Sequence, residues 1–288
     1  MTVLVNLIVT LGMLGIVPAG LRLIDPAGLR TWARLWPLAA LPGAACLWLP
    51  RGGPATALAA LYAAASLALA ATQVPARLLR RPERSPSAPA RGPFPAEIAV
   101  ATALASPVVA GTALVAERAG CRLFGFDLDV LALTVPHFHF AGFTAALVAG
   151  LVCRAAPGPW ARRAAYSVPG GTLLVLLGYF VDDWAELAGA LVLTAGMWAV
   201  ALVTWREIRP AGGGRGVRAL LGVSSAVLAA TMALALWWAL GEAAGLVHPT
   251  LTWMAATHGL GNALGFALCA VLAWRRLAAG ASPEGAAP

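Results

Sequence analysis

Residues 130–152 read VLALTVPHFHFAGFTAALVAGLV. The stretch contains no Asp, Glu, Arg or Lys, and as a helix rising 1.5 Å per residue it crosses a hydrocarbon core of about 30 Å. A second run, residues 251–274 (LTWMAATHGLGNALGFALCAVLAW), has the same character. Both carry histidine at a depth where imidazole needs a hydrogen-bond partner or a functional role. His137 and His139 lie in the first run and His258 in the second. Apolar runs of this length recur along the whole chain. They set the fold class as all-α, a polytopic transmembrane helical bundle.

Composition points the same way. Of the 288 residues, 60% are hydrophobic and 11% charged, with a mean hydropathy of +0.80. A soluble domain carries about 25% charged residues. The net charge of +8 would suit a nucleic-acid binder, but no basic face interleaved with aromatics appears, so nucleic acid is not an expected partner. Membrane lipid and a lipophilic small molecule are. The four cysteines, Cys46, Cys121, Cys153 and Cys269, are far apart and read as packing residues, so neither a metal nor another cofactor is expected. The first arginine, Arg22, follows the first apolar run, which therefore reads as a span and not as a cleaved signal.

Nine spans are predicted, near 2–21, 32–50, 54–76, 96–116, 129–153, 164–182, 184–205, 217–241 and 250–274. All 20 basic residues are arginine, and their placement tests that count. Arg22, Arg30 and Arg34 follow the first span, and Arg77, Arg80, Arg81, Arg84 and Arg91 the third. Arg154, Arg162 and Arg163 follow the fifth, Arg206, Arg209, Arg215 and Arg218 the seventh, and Arg275 and Arg276 the ninth. Only Arg51, Arg118 and Arg122 fall on the other side. The positive-inside rule then puts the N-terminus outside and the C-terminus in the cytoplasm, as for a multi-pass protein of the plasma membrane. The Pro-, Ser- and Arg-rich segment 80–95 reads as a cytoplasmic linker between a three-span segment (1–79) and a six-span segment (96–276). Residues 277–288 read as a disordered tail.

In that orientation the buried polar residues gather in the outer half. His137 lies about 12 Å below Asp129, and His258 about 13 Å below Pro249. Asn262 is one turn from His258 on the same face. Asp182, Asp183 and Glu186 sit at the outer turn between the sixth and seventh spans, and Asn6 lies in the outer half of the first. His137 and His139, two residues apart, point to opposite sides of a regular helix, and Pro136 supplies a reason for local distortion. His137 is expected to face inward, with His139 turned to a neighbouring helix. Three readings of the histidines stay open: interhelical hydrogen bonding beside Gly142, Gly259, Gly261 and Gly265, acid–base work on a ligand, or metal or haem ligation. For Asp182 and Asp183 a turn or cap role competes with ligand binding.

The blocks PHFHFAGF (136–143) and THGLGNALGF (257–266) resemble the YndJ-like bacterial membrane proteins, over roughly residues 95–276. The resemblance implies that His137, His139, Gly142, His258, Gly259, Asn262 and Gly265 are signature positions, and it implies almost no chemistry. No phosphate-cradling glycine loop or prenyl-diphosphate motif is present, which argues against ATP-driven transport and diphosphate chemistry. Two classes of function remain. One is an intramembrane acid–base enzyme of the isomerase or cyclase type, using His137, His139, His258 and Glu186 as catalytic groups, with Asn262, Asp182, Asp183 and Asn6 as binding groups. The other is a permease or proton-coupled transporter using the same residues.

Overall fold

The computed structural model describes residues 2–79 and 94–280. Among them the chain is helical and contains no strand. Seven of these helices are long and apolar enough to cross a membrane: α1 (Val3–Ile24), α3 (Gly53–Leu78), α4 (Phe94–Arg118), α5 (Leu128–Ala155), α7 (Asp183–Ala211), α8 (Arg215–Ala244) and α9 (Leu251–Gly280). Two more complete the described bundle, α2 (Arg30–Cys46) and α6 (Pro159–Gly178). They fall short for visible reasons. Helix α2 is 17 residues with two internal prolines, and α6 opens with PWARRAAY, whose arginines lower its apolarity.

The sixth helix starts earlier and stops earlier than its apolar run predicts. Pro159 suits a first helical turn, where its missing N–H costs nothing. Residues 179–182 leave the helix as a turn, and Asp182 then caps α7 by accepting a hydrogen bond from Ala185 N at 2.8 Å. The ninth helix runs on through Gly280, so residues 277–280 of the expected tail are helical. Most of the expected linker, residues 80–93, and the last tail residues, 281–288, lie outside the described residues.

Ion pairs sort the helix ends into two faces. At one, Glu97 at the start of α4 is buried between Arg154 (2.7 Å) and Arg77 (3.2 Å), the C-terminal arginines of α5 and α3. Arg77 also reaches Asp25 at 3.7 Å, and Arg154 donates to the Ile24 carbonyl at the end of α1. A carboxylate at a helix N-terminus and guanidinia at C-termini also complement the helix dipoles. At the opposite face Glu117 near the end of α4 pairs with Arg51 and Arg118, and Arg118 further donates to the carbonyls of Cys46 and Leu49. Helices α1, α3 and α5 therefore run one way, with α2 and α4 against them.

The tightest helix pair is the α6–α7 hairpin. Gly171 and Gly178 of α6, seven residues apart, oppose Gly189 and Gly196 of α7, also seven apart. A Cβ at Gly178 would lie 2.5 Å from Glu186 Cα, and one at Gly171 2.5 Å from Leu193 Cα. Small residues at these positions bring the backbones together, which is how helices associate where no hydrophobic force separates protein from solvent.

One hydrophobic core runs from Val5 to Trp274 and draws on all nine of these helices, so the first three are packed into the same body as the rest. The exterior is apolar as well. Leu35, Leu38 and Leu41, spaced by three on α2, are all more than half exposed, a surface that water would penalise and a bilayer would cover.

Candidate functional site

The two histidine-bearing helices converge on one cavity of about 520 Å³. Its walls come from α1 and α4–α9 and are mostly apolar. The polar groups that interrupt them include His137, His258, Asn262, Glu186 and Tyr179. Both motif helices depart from α geometry beside it: α5 is π-helical over Phe138–Thr144, and α9 over Ala255–Gly259 and Gly261–Leu268. In α5 the cause is local. Pro136 has no N–H to donate, and the widened turn that follows is held by Thr144 Oγ1 donating to the His139 carbonyl five residues back.

Their two-residue spacing leaves the two histidines of α5 on different sides. His139 is fully buried away from the cavity and both its nitrogens are engaged. Nδ1 lies 2.7 Å from the Val135 carbonyl, which can only accept, so Nδ1 carries the proton. Nε2 then accepts from the Tyr62 hydroxyl of α3 at 2.6 Å. Tyr62, also fully buried, packs edge-on against Trp36 of α2, whose indole N–H donates to Met13 O of α1 at 2.9 Å. Gly12 of α1 closes over the imidazole, where a Cβ would lie 2.9 Å from His139 Cβ. His139 is thus a four-helix packing node, and this position gives it no route to a ligand.

His137 is the opposite case. It is half-buried, lines the cavity and has no hydrogen-bond partner among the described residues. His258 faces the same cavity within electrostatic reach of it, but no direct hydrogen bond joins them. His258 is held in a closed circuit. Its Nδ1–H donates to the Thr231 carbonyl of α8 at 2.8 Å, and its Nε2 accepts from Asn262 Nδ2 at 3.0 Å. The Thr231 hydroxyl donates to Asn262 Oδ1 at 2.9 Å. The i,i+4 spacing of His258 and Asn262 makes this circuit possible.

Glu186, one turn into α7, forms part of the cavity wall with the Tyr179 hydroxyl beside its carboxylate. Above it Phe124 and Phe126 from the α4–α5 loop meet Phe180 edge-on, with ring centroids 5.5 and 5.3 Å away, and roof the cavity. Phe124 adopts a positive φ of 56°, next to Gly125 at 86°.

The remaining expected binding residues stand elsewhere. Asp182 is the α7 cap, and both it and Asp183 are exposed and do not line the cavity. Asn6 is buried beside the wall, and its amide donates to the Leu47 carbonyl at 2.9 Å, satisfying an orphan acceptor at the end of α2. Gly142, Gly261 and Gly265 do permit close helix approach, against Ser106, Thr231 and Val227. Gly259 meets no neighbouring helix and opens onto the cavity. Among the described residues no three His, Cys, Asp or Glu side chains come together as a metal-ligating group. Tyr62, Tyr179 and Thr231 were not legible as site residues. Only the need of a buried tyrosine or histidine for a partner hinted at them.

The model of the YndJ-like protein family matches residues 7–266. The chain belongs to that family. The match takes in the first three helices as well as the motif helices, so the family unit is wider than residues 95–276 and agrees with the single shared core. No curated protein and no solved structure matches the chain.

Proposed function

We propose that this YndJ-like protein is an integral membrane protein that binds a lipophilic small molecule in the cavity and exchanges a proton with it, as an acid–base enzyme of the isomerase or cyclase type. The observation that carries this reading is His137, an imidazole facing an apolar cavity with both nitrogens free of protein partners among the described residues. A packing histidine in an apolar interior is hydrogen-bonded, as His139 is, because an unpaired polar group there is costly. A free one is available to a ligand. Glu186 with Tyr179 is the second acid–base group, near the roof. His258, its lone pair already taken by Asn262, fixes that amide in place and is a positioning residue. The permease reading is weaker, because a relay would need polar groups continuing inward. Beyond Asn262 and His137 the lining includes Phe140, Ala141, Ala145, Met197, Leu228 and Phe266, all apolar.

The protein would cross the plasma membrane of a bacterial cell nine times, with its N-terminus outside. Arginine pairing supports that orientation. On the outer face Arg51 and Arg118 share the carboxylate of Glu117 and Arg122 pairs with Asp127, whereas Arg206, Arg209, Arg215, Arg218, Arg275 and Arg276 have no ion-pair partner among the described residues. Reporter fusions after Arg91 and after Arg276 are expected to give cytoplasmic signals, and a periplasmic signal at either would break the nine-span arrangement.

The function is tested by extracting the lipophile retained by purified protein and returning it to the protein in deuterated water. Wild type is expected to incorporate deuterium into the compound, and His137→Ala to do so about 100-fold more slowly, the usual scale of a general acid–base contribution. Equal incorporation by the variant would remove His137 from the chemistry.

A further inference from the structure

Among the described residues the cavity lining holds no arginine, and arginine is the chain's sole permanently cationic residue type. The acidic side chain it does hold is Glu186, with the carboxyl groups of Asp183 and Glu242 within electrostatic reach. A carboxylate, phosphate or sulfate brought inside would lose its hydration and meet negative charge with no guanidinium to compensate. The shape narrows the class further. Along α5 the lining runs from Val130 to Ala145, and along α9 from Leu251 to Phe266, in each case about 22 Å at 1.5 Å per residue. The lining thus extends about 22 Å along both motif helices and ends on α9 at Phe266, a length and an apolar character that suit a hydrocarbon chain.

The hydrogen-bonding inventory fixes the polar part. His137 offers one N–H and one lone pair, and Asn262 has a second amide hydrogen beyond the one given to His258. A hydroxyl can donate to the His137 lone pair and accept from Asn262, and a ketone oxygen can accept from either donor. We infer that the occupant is an uncharged long-chain lipophile with one compact oxygen function, an alcohol or ketone, and that anionic lipids are rejected. This rests on the cavity being the ligand site proposed above.

The test uses four probes with the same saturated chain: hexadecyl alcohol, its methyl ketone, hexadecanoate and hexadecyl phosphate. Binding to full-length protein in a neutral detergent is read by native mass spectrometry at mildly alkaline pH. The alcohol and ketone are expected to bind at least about tenfold more tightly than either anion. Glu186→Gln should raise hexadecanoate binding several-fold. Ala141→Trp, which fills the cavity from α5, should abolish binding of the alcohol. An anion that binds as well as the alcohol overturns the charge selection and leaves the lipophile site intact. Alcohol binding that survives Ala141→Trp places the ligand elsewhere and overturns the inference. If none of the four binds, the cavity is not a site for such chains, and the acid–base reading falls with it.

Discussion

Gly178→Leu is expected to destabilise the protein by about 3 kcal/mol or more, the upper range for overpacking a tight contact. A Cβ there lies 2.5 Å from Glu186 Cα and 2.6 Å from Glu186 N, so the obstacle is backbone and cannot rotate away. Carbon atoms pack at about 3.5–4.0 Å, so the two helices must part by an ångström or more. The seven-residue register of Gly171, Gly178, Gly189 and Gly196 would open with them. Glu186 is carried on the displaced backbone, so ligand binding should fall as well. Gly170, one residue from Gly171, is the control: a Cβ there meets nothing within 4 Å. Gly170→Ala should be neutral or gain up to about 1 kcal/mol, as Ala replaces Gly in a helix interior. Unfolding in detergent micelles measures both. A Gly178→Leu protein as stable as wild type would show that the hairpin is not held by this contact.

The second large effect separates the two histidines of α5. His139→Ala should cost about 3–5 kcal/mol, combining the space left in a packed core with a buried Tyr62 hydroxyl that loses its partner. Tyr62→Phe should cost about 1–2 kcal/mol. The double variant should show a coupling of about 1 kcal/mol or more, because the pair shares one hydrogen bond. His137→Ala should change stability by less than about 1 kcal/mol, the scale of a surface substitution, since its ring faces open space. Its loss should appear in turnover. Similar stability losses at 137 and 139 would remove the division of labour between them.

Much of this was present in the order of residues. The helical class and the seven helices long and apolar enough to cross a membrane follow from runs of about twenty apolar residues, because helix length against membrane thickness is a one-dimensional property. The pairing of His258 with Asn262 was legible for the same reason, since i,i+4 geometry is local. So was the Asp182 cap, which needs only the three residues that follow it. Pro136 marked the place where α5 would distort, and the opposed directions of His137 and His139 followed from their spacing.

What the chain order left open was the identity of each partner. His139 is satisfied by a tyrosine 77 residues upstream, in an alanine-rich helix that offered no sign of it. The roof joins Phe124 and Phe126 of one loop to Phe180 of another, and each is an ordinary surface aromatic until the two loops meet. The glycines of α6 and α7 acquire meaning only when seven-residue spacings on separate helices face one another. Local geometry is fixed within a turn or two by the backbone itself. Which imidazole is left without a protein partner depends on how the described helices pack, and that is decided by contacts between residues far apart in sequence.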